Sequence, residues 1–208
     1  NDFTMDLAVL AIFIPTFFFV SITPGMCMTL AMTLGMSVGV RRTMYMMVGE
    51  LLGVAIVAVA AVIGVASVML KYSDVFAVLK YIGGGYLGYL GVQMWLSKGK
   101  MAIELDSQAE TGKFQLFAQG LITAISNPKG WGFMIALLPP FINTDYPMAP
   151  QMLILLSVIL LSEFICMTLY ATGGKTLRIF LSTGNNVKLM NQISGTLMIG
   201  VGIWLALG

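Results

Sequence analysis

The sequence predicts an all-α integral membrane protein: six transmembrane helices arranged as two inverted three-helix repeats, with helices 1 and 4 broken at Pro24 and Pro128. Three observations carry this expectation. The 208 residues are 58% hydrophobic and only 10% charged, with a mean hydropathy of +0.92, which excludes a water-soluble globular domain. Apolar runs of spanning length cover Leu7 to Leu34, Met44 to Leu70, Val75 to Leu96, Phe114 to Phe141, Met152 to Thr172 and Leu189 to Leu207. These runs are continuous, where outer-membrane barrel strands would alternate. Finally, the first and fourth runs each carry a proline at a matching depth.

That depth can be counted. Pro24, in SITPG, lies seventeen residues after Leu7 and seventeen before Arg41; Pro128, in ISNPKG, lies fifteen after Lys113 and seventeen before Asp145. At about 1.5 Å per residue across about 30 Å of hydrocarbon, both positions fall near the bilayer centre. A proline there removes one N–H and crowds the carbonyl four residues earlier, Val20 or Ala124. Lipid cannot satisfy the freed groups, so protein, water or a ligand must. A lone proline reads more simply as a kink covered by neighbouring helices. A matched pair is how secondary transporters build sites, with half-helix N-termini toward anionic groups and freed carbonyls toward cations.

Taken in order, the first run follows Asp2 and Asp6 with no basic segment and is too long for a signal peptide, so it is expected to be retained as a helix. Gly49 and Gly53 on the second helix, and Gly84, Gly88 and Gly91 on the third, each share a face and predict close helix packing. A polar connection from Ser97 to Gly112, holding Lys98, Lys100, Glu104, Asp106 and Glu110, divides the chain. Repeat one is expected at about 7–97, the connection at about 97–113 and repeat two at about 114–208, within a single membrane domain, 1–208. The ends of the third and sixth helices agree at four of six positions, GVQMWL against GVGIWL, and bring the interfacial tryptophans Trp95 and Trp204. Three helices per unit force the second unit to cross in the opposite sense to the first. The pseudo-two-fold of that arrangement would bring the two breaks together.

Net charge is only +2 but unevenly placed. Arg41, Arg42, Lys98, Lys100, Lys113, Lys175, Arg178 and Lys188 fall in the first, third and fifth connections, while Lys71 and Lys80 flank the second. Those three connections are therefore expected in the cytoplasm and both termini outside. The basic residues are topological, and no nucleic-acid partner is implied. Cys27 and Cys166 lie inside apolar runs without a CxxC spacing and read as buried free thiols. Histidine is absent, which removes the usual general base and excludes serine–histidine and cysteine–histidine hydrolases. The seventeen methionines read as adaptable packing, and no metal site or cofactor is expected.

Three ionisable residues, Glu50, Lys129 and Glu163, lie inside apolar runs. An intramembrane charge costs at least about 2.5–3.5 kcal/mol on insertion scales, so function is the default reading. Glu50 is eight residues past Arg42 and Glu163 twelve before Lys175, about 12 and 18 Å in. Desolvation disfavours a charged carboxyl, which makes either a candidate to exchange protons, Glu163 more so because it lies deeper. A permanent ion pair with Lys129 is the structural alternative. Lys129 follows Pro128 at the start of a half-helix, where its ammonium and the helix N-terminus suit a carboxylate. The N–H groups of Gly25, Met26 and Cys27 are equivalent donors at the first break. Carbonyls at Val20, Ser21, Ala124 and Ile125 would accept from an ammonium. Donors for a carboxylate beside acceptors for an ammonium complement a free amino acid or another small zwitterion.

In order and spacing, SITPG, GMSVGVRRTMYMMVGELLG, LKYIGGGYLGYLGVQMWL and NPKGWGFMIALLPPF resemble the LysE/RhtB family of amino-acid exporters. The resemblance spans the whole chain, and the NPK run is closer to the homoserine, threonine and leucine exporter branch than to the lysine and arginine branch. It implies a multi-pass carrier of the bacterial inner membrane that expels small neutral amino acids by proton antiport. On this reading Pro24, Gly25, Met26, Asn127, Pro128 and Lys129 bind substrate, and Glu50 and Glu163 couple protons. Met26 stands where the family usually has proline, which restores an N–H donor. The partners are the amino acid, protons and the lipid bilayer, with a homo-oligomer left open. Three alternatives remain: a basic amino-acid or metal-ion exporter of the same fold, a thiol–disulfide electron carrier using Cys27 and Cys166, and a passive channel. Two carboxylates and no histidine supply few ligands for a divalent cation.

Overall fold

The structure, a computed structural model, describes residues 7–71, 73–96, 112–143, 145–183 and 186–207. Among these residues there is no strand, and eight α-helices follow one another. They are α1 (Leu7–Ile22), α2 (Met26–Ser37), α3 (Val40–Lys71), α4 (Ser73–Leu96), α5 (Lys113–Ile125), α6 (Pro128–Leu137), α7 (Met148–Ser182) and α8 (Asn186–Leu207). A 3₁₀ turn, Pro139–Phe141, ends the α6 segment where two consecutive prolines remove backbone donors.

The first apolar run is two helices. α1 and α2 are bent by 54° about Thr23, Pro24 and Gly25, and Gly25 is extended and caps α2. The fourth run also divides, at Ser126 and Asn127. Asn127 caps α6 by accepting the Lys129 N–H at 3.1 Å, and Pro128 occupies the first turn, where a missing N–H costs no helical bond. Pro15 lies inside α1 without interrupting it.

Val40–Gly64 and Met148–Gly174 are long and apolar enough to cross a bilayer, and α1 with α2 makes a third span if the bent pair counts as one. The molecule is thus membrane-integral. α7 continues to Ser182 through a kink at Gly174, whose φ of +40° only glycine adopts readily. Lys175, Arg178 and Lys188, expected in a fifth connection, therefore lie within helices α7 and α8. Charge ends an apolar run but does not end a helix. The expected polar connection from Ser97, with its charged residues, lies outside the described residues up to position 111, as do Asp2 and Asp6.

The helices pack in a reciprocal pattern: α3 on α5 and α6, α7 on α1 and α2, and α4 on α8. Glycines set the closest approaches. A methyl group on Gly49 would overlap the Phe117 carbonyl, and one on Gly120 the Met46 carbonyl, so α3 and α5 meet backbone to backbone. Gly91 and Gly195 do the same for α4 and α8, where Trp95 Nε1 also donates to Thr196 Oγ1 at 2.9 Å. One apolar cluster gathers Phe13, Phe17, Phe133, Leu137 and Leu155; another, rich in methionine, gathers Met28, Met32, Met46, Met47 and Met167 around Tyr170.

Candidate functional site

Where the two chain breaks face each other, a small cavity of about 70 Å³ opens. Gly25, Met26, Asn127, Lys129, Glu50 and Glu163 all line it. Pro24 does not line it; Pro24 before Gly25, and Pro128 at the start of α6, set the backbone beside the residues that do. Two contacts join the breaks. The Lys129 ammonium lies close to Gly25, 3.9 Å from where a methyl would project, and Asn127 Nδ2 lies 3.9 Å from Cys27 Sγ.

The backbone around the first break is held by side chains from distant helices. Tyr170 on α7 donates to the Ile22 carbonyl at 2.7 Å, and Ser194 on α8 donates to the Phe19 carbonyl at 2.8 Å. The Thr23 and Ser194 hydroxyls are also hydrogen-bonded to each other. These groups do for the break what lipid cannot. At the second break, Trp131 Nε1 donates to the Ile125 carbonyl at 2.7 Å and the Asn127 N–H to the Ala124 carbonyl at 3.3 Å. Two of the four carbonyls expected to await an ammonium thus already have protein donors.

The two carboxylates are placed differently. Ser21 Oγ donates to Glu163 Oε1 at 2.8 Å. Glu50 is 1% exposed with the Cys27 thiol beside it, and its Oε2 has no hydrogen-bond partner. Among the described residues no carboxylate lies within ion-pairing distance of Lys129, and Glu163 is the carboxylate whose charge acts on it across the cavity. The ammonium lies beside Gly25, the residue that caps α2, and the N–H groups in the first turn of that helix lack helical partners, since its first bond runs from Thr29 N–H to the Gly25 carbonyl. The remaining wall is apolar, with Phe17, Val20, Val54, Val57, Phe133 and Met134.

Residues 18–208 match the family described as LysE type translocator. The chain belongs to the LysE-type translocators. The matched stretch includes every cavity-lining residue except Phe17. The chain is 31% identical over 187 residues to a homoserine/homoserine lactone efflux protein of Salmonella typhi, covering 89% of this chain and 90% of that one. It is 26% identical over 195 residues to a leucine efflux protein of Enterobacter sp. (strain 638), covering 91% and 90%. An uncharacterized membrane protein of Vibrio cholerae is 27% identical over 202 residues, 97% and 98% of the two chains. No solved structure matches.

Sequence reasoning did not single out the Ser21 hydroxyl, Thr23, Tyr170 or Ser194 in this LysE-type translocator. Ser21 and Thr23 both precede Pro24 in the SITPG run, a signal legible in the sequence; Tyr170 and Ser194 come from helices whose approach no local pattern reveals. Cys27 and Cys166 are free thiols, the first on the cavity wall and the second buried in the methionine-rich cluster.

Proposed function

We propose that this LysE-type translocator is a secondary exporter of small neutral amino acids, working by proton antiport in a bacterial inner membrane. The single observation that carries the reading is the cavity between the two breaks. It pairs an ammonium with no carboxylate at ion-pairing distance, and free helix N–H groups, with a buried carboxylate, a set that complements a zwitterion. The efflux proteins of homoserine and of leucine to which the chain is similar support the same substrate class. Pro24, Gly25, Met26, Asn127, Pro128 and Lys129 form the binding segment, near the bilayer midplane on this reading.

The α1–α2 and α5–α6 pairs serve as single broken spans, so that six spans form two inverted repeats. The reciprocal packing supports this: the second span of each repeat lies on the broken span of the other, and the third spans lie on each other. That is the contact pattern a two-fold requires. The termini are outside, and Glu50 and Glu163 are the proton-coupling groups, with Glu163 favoured as the carrier.

The test is efflux of a panel of labelled amino acids from preloaded vesicles under an imposed pH gradient. Small neutral amino acids should move against their own gradient, which a passive channel cannot achieve. Glu163→Gln should abolish pH-driven net efflux yet keep exchange of labelled for unlabelled substrate, because exchange needs no proton release. Full pH-driven efflux in both Glu163→Gln and Glu50→Gln would rule out proton coupling through these carboxylates.

A further inference from the structure

Resting on the amino-acid reading above, we infer that Glu50 receives the substrate's ammonium, so that the site takes free α-amino acids with a small aliphatic side chain and rejects the same acids lacking the amine. The argument is one of available acceptors. At the second break the Ile125 carbonyl is held by Trp131 and the Ala124 carbonyl by the Asn127 N–H, and of the carboxylate oxygens on the cavity wall Glu163 Oε1 is held by Ser21. Among the described residues Glu50 Oε2 is the buried side-chain oxygen with no partner. It belongs to a residue 1% exposed and on the cavity wall. A buried polar group left unpaired is costly and rare in a folded protein, and a ligand is a ready explanation for one that faces a cavity.

The carboxylate end of the ligand has its own donors, the Lys129 ammonium and the first-turn N–H groups of α2. The side chain of the ligand then meets the wall around Glu50. Val54 and Val57 follow it at i+4 and i+7 on the same face of α3. The Ser21 and Thr23 hydroxyls already commit their protons, to Glu163 and to the Phe19 carbonyl.

Binding of leucine and of 4-methylpentanoate, its amine-free counterpart, to the purified detergent-solubilised chain tests this. The wild type should bind leucine roughly 10- to 100-fold more tightly, the range for a hydrogen bond to a charged group. In Glu50→Gln that preference should collapse, through weaker leucine binding, while 4-methylpentanoate binds no worse. Equal binding of the two ligands by the wild type overturns the inference without any variant, so a misfolded Glu50→Gln leaves it testable. A Glu50→Gln protein that melts like the wild type and keeps the full preference also overturns it, and leaves amino-acid export standing. A wild type that binds neither leucine nor any other neutral amino acid overturns the export reading itself.

Discussion

Lys129 shows how little of a residue's role is contained in its own charge. Its position one residue after Pro128 puts the ammonium at the start of α6, but its partner across the cavity is the first break, at Gly25. On the proposed reading that ammonium receives the ligand's carboxylate. Replacing it with methionine preserves most of the volume and removes the charge. Lys129→Met should weaken substrate binding roughly 10- to 100-fold in equilibrium titration while the protein still folds. If it instead unfolds and is rescued by adding Glu50→Gln or Glu163→Gln, the lysine serves as the counter-charge of a structural pair.

Helices in this chain are interrupted where proline coincides with a second break signal. Pro15 costs α1 one hydrogen bond and the helix continues, as neighbouring turns hold it. Pro24 is followed by Gly25, which adopts an extended conformation at little cost, and α2 starts afresh. At Pro128 the break is fixed by the Asn127 cap, with proline in the position a helix start prefers. Between helices, glycine decides distance. A side chain at Gly120 must push α5 away from the Met46 carbonyl and the Glu50 N–H of α3. Gly120→Val should therefore cost at least the about 1–3 kcal/mol of ordinary overpacking, read as a lower thermal midpoint. Gly85→Ala, with open space around it, should leave the midpoint unchanged or raised. Equal midpoints for the two variants would show that the α3–α5 approach is not held by glycine.

For the molecule as a whole, the orientation proposed here rests on which connections carry the basic residues. In a Cys27→Ala, Cys166→Ala background, a cysteine introduced at Thr183 should be shielded from an impermeant thiol reagent in intact cells, and one at Asp145 should be labelled. The reverse labelling would invert the topology. The same background checks the electron-carrier alternative, because an exporter keeps its efflux without either thiol.

Composition and continuous apolar runs were enough to place this chain in a membrane, because the cost of exposing backbone to lipid leaves helices as the choice for such runs. The order of motifs was enough to anticipate the family, and single charges inside apolar runs marked Glu50, Lys129 and Glu163 because each is too costly to keep idle. Helix ends were less legible: α7 runs past Lys175 and Arg178, since hydropathy records the membrane edge and not the hydrogen-bonded ladder. What no linear pattern contained was the pairing of groups far apart in the chain, such as Ser21 with Glu163, Ser194 with the Phe19 carbonyl and Tyr170 with the Ile22 carbonyl. Those pairings decide which acceptors are spent and leave Glu50 Oε2 open, because hydrogen-bond satisfaction depends on which helices meet, and that depends on packing across the entire bundle.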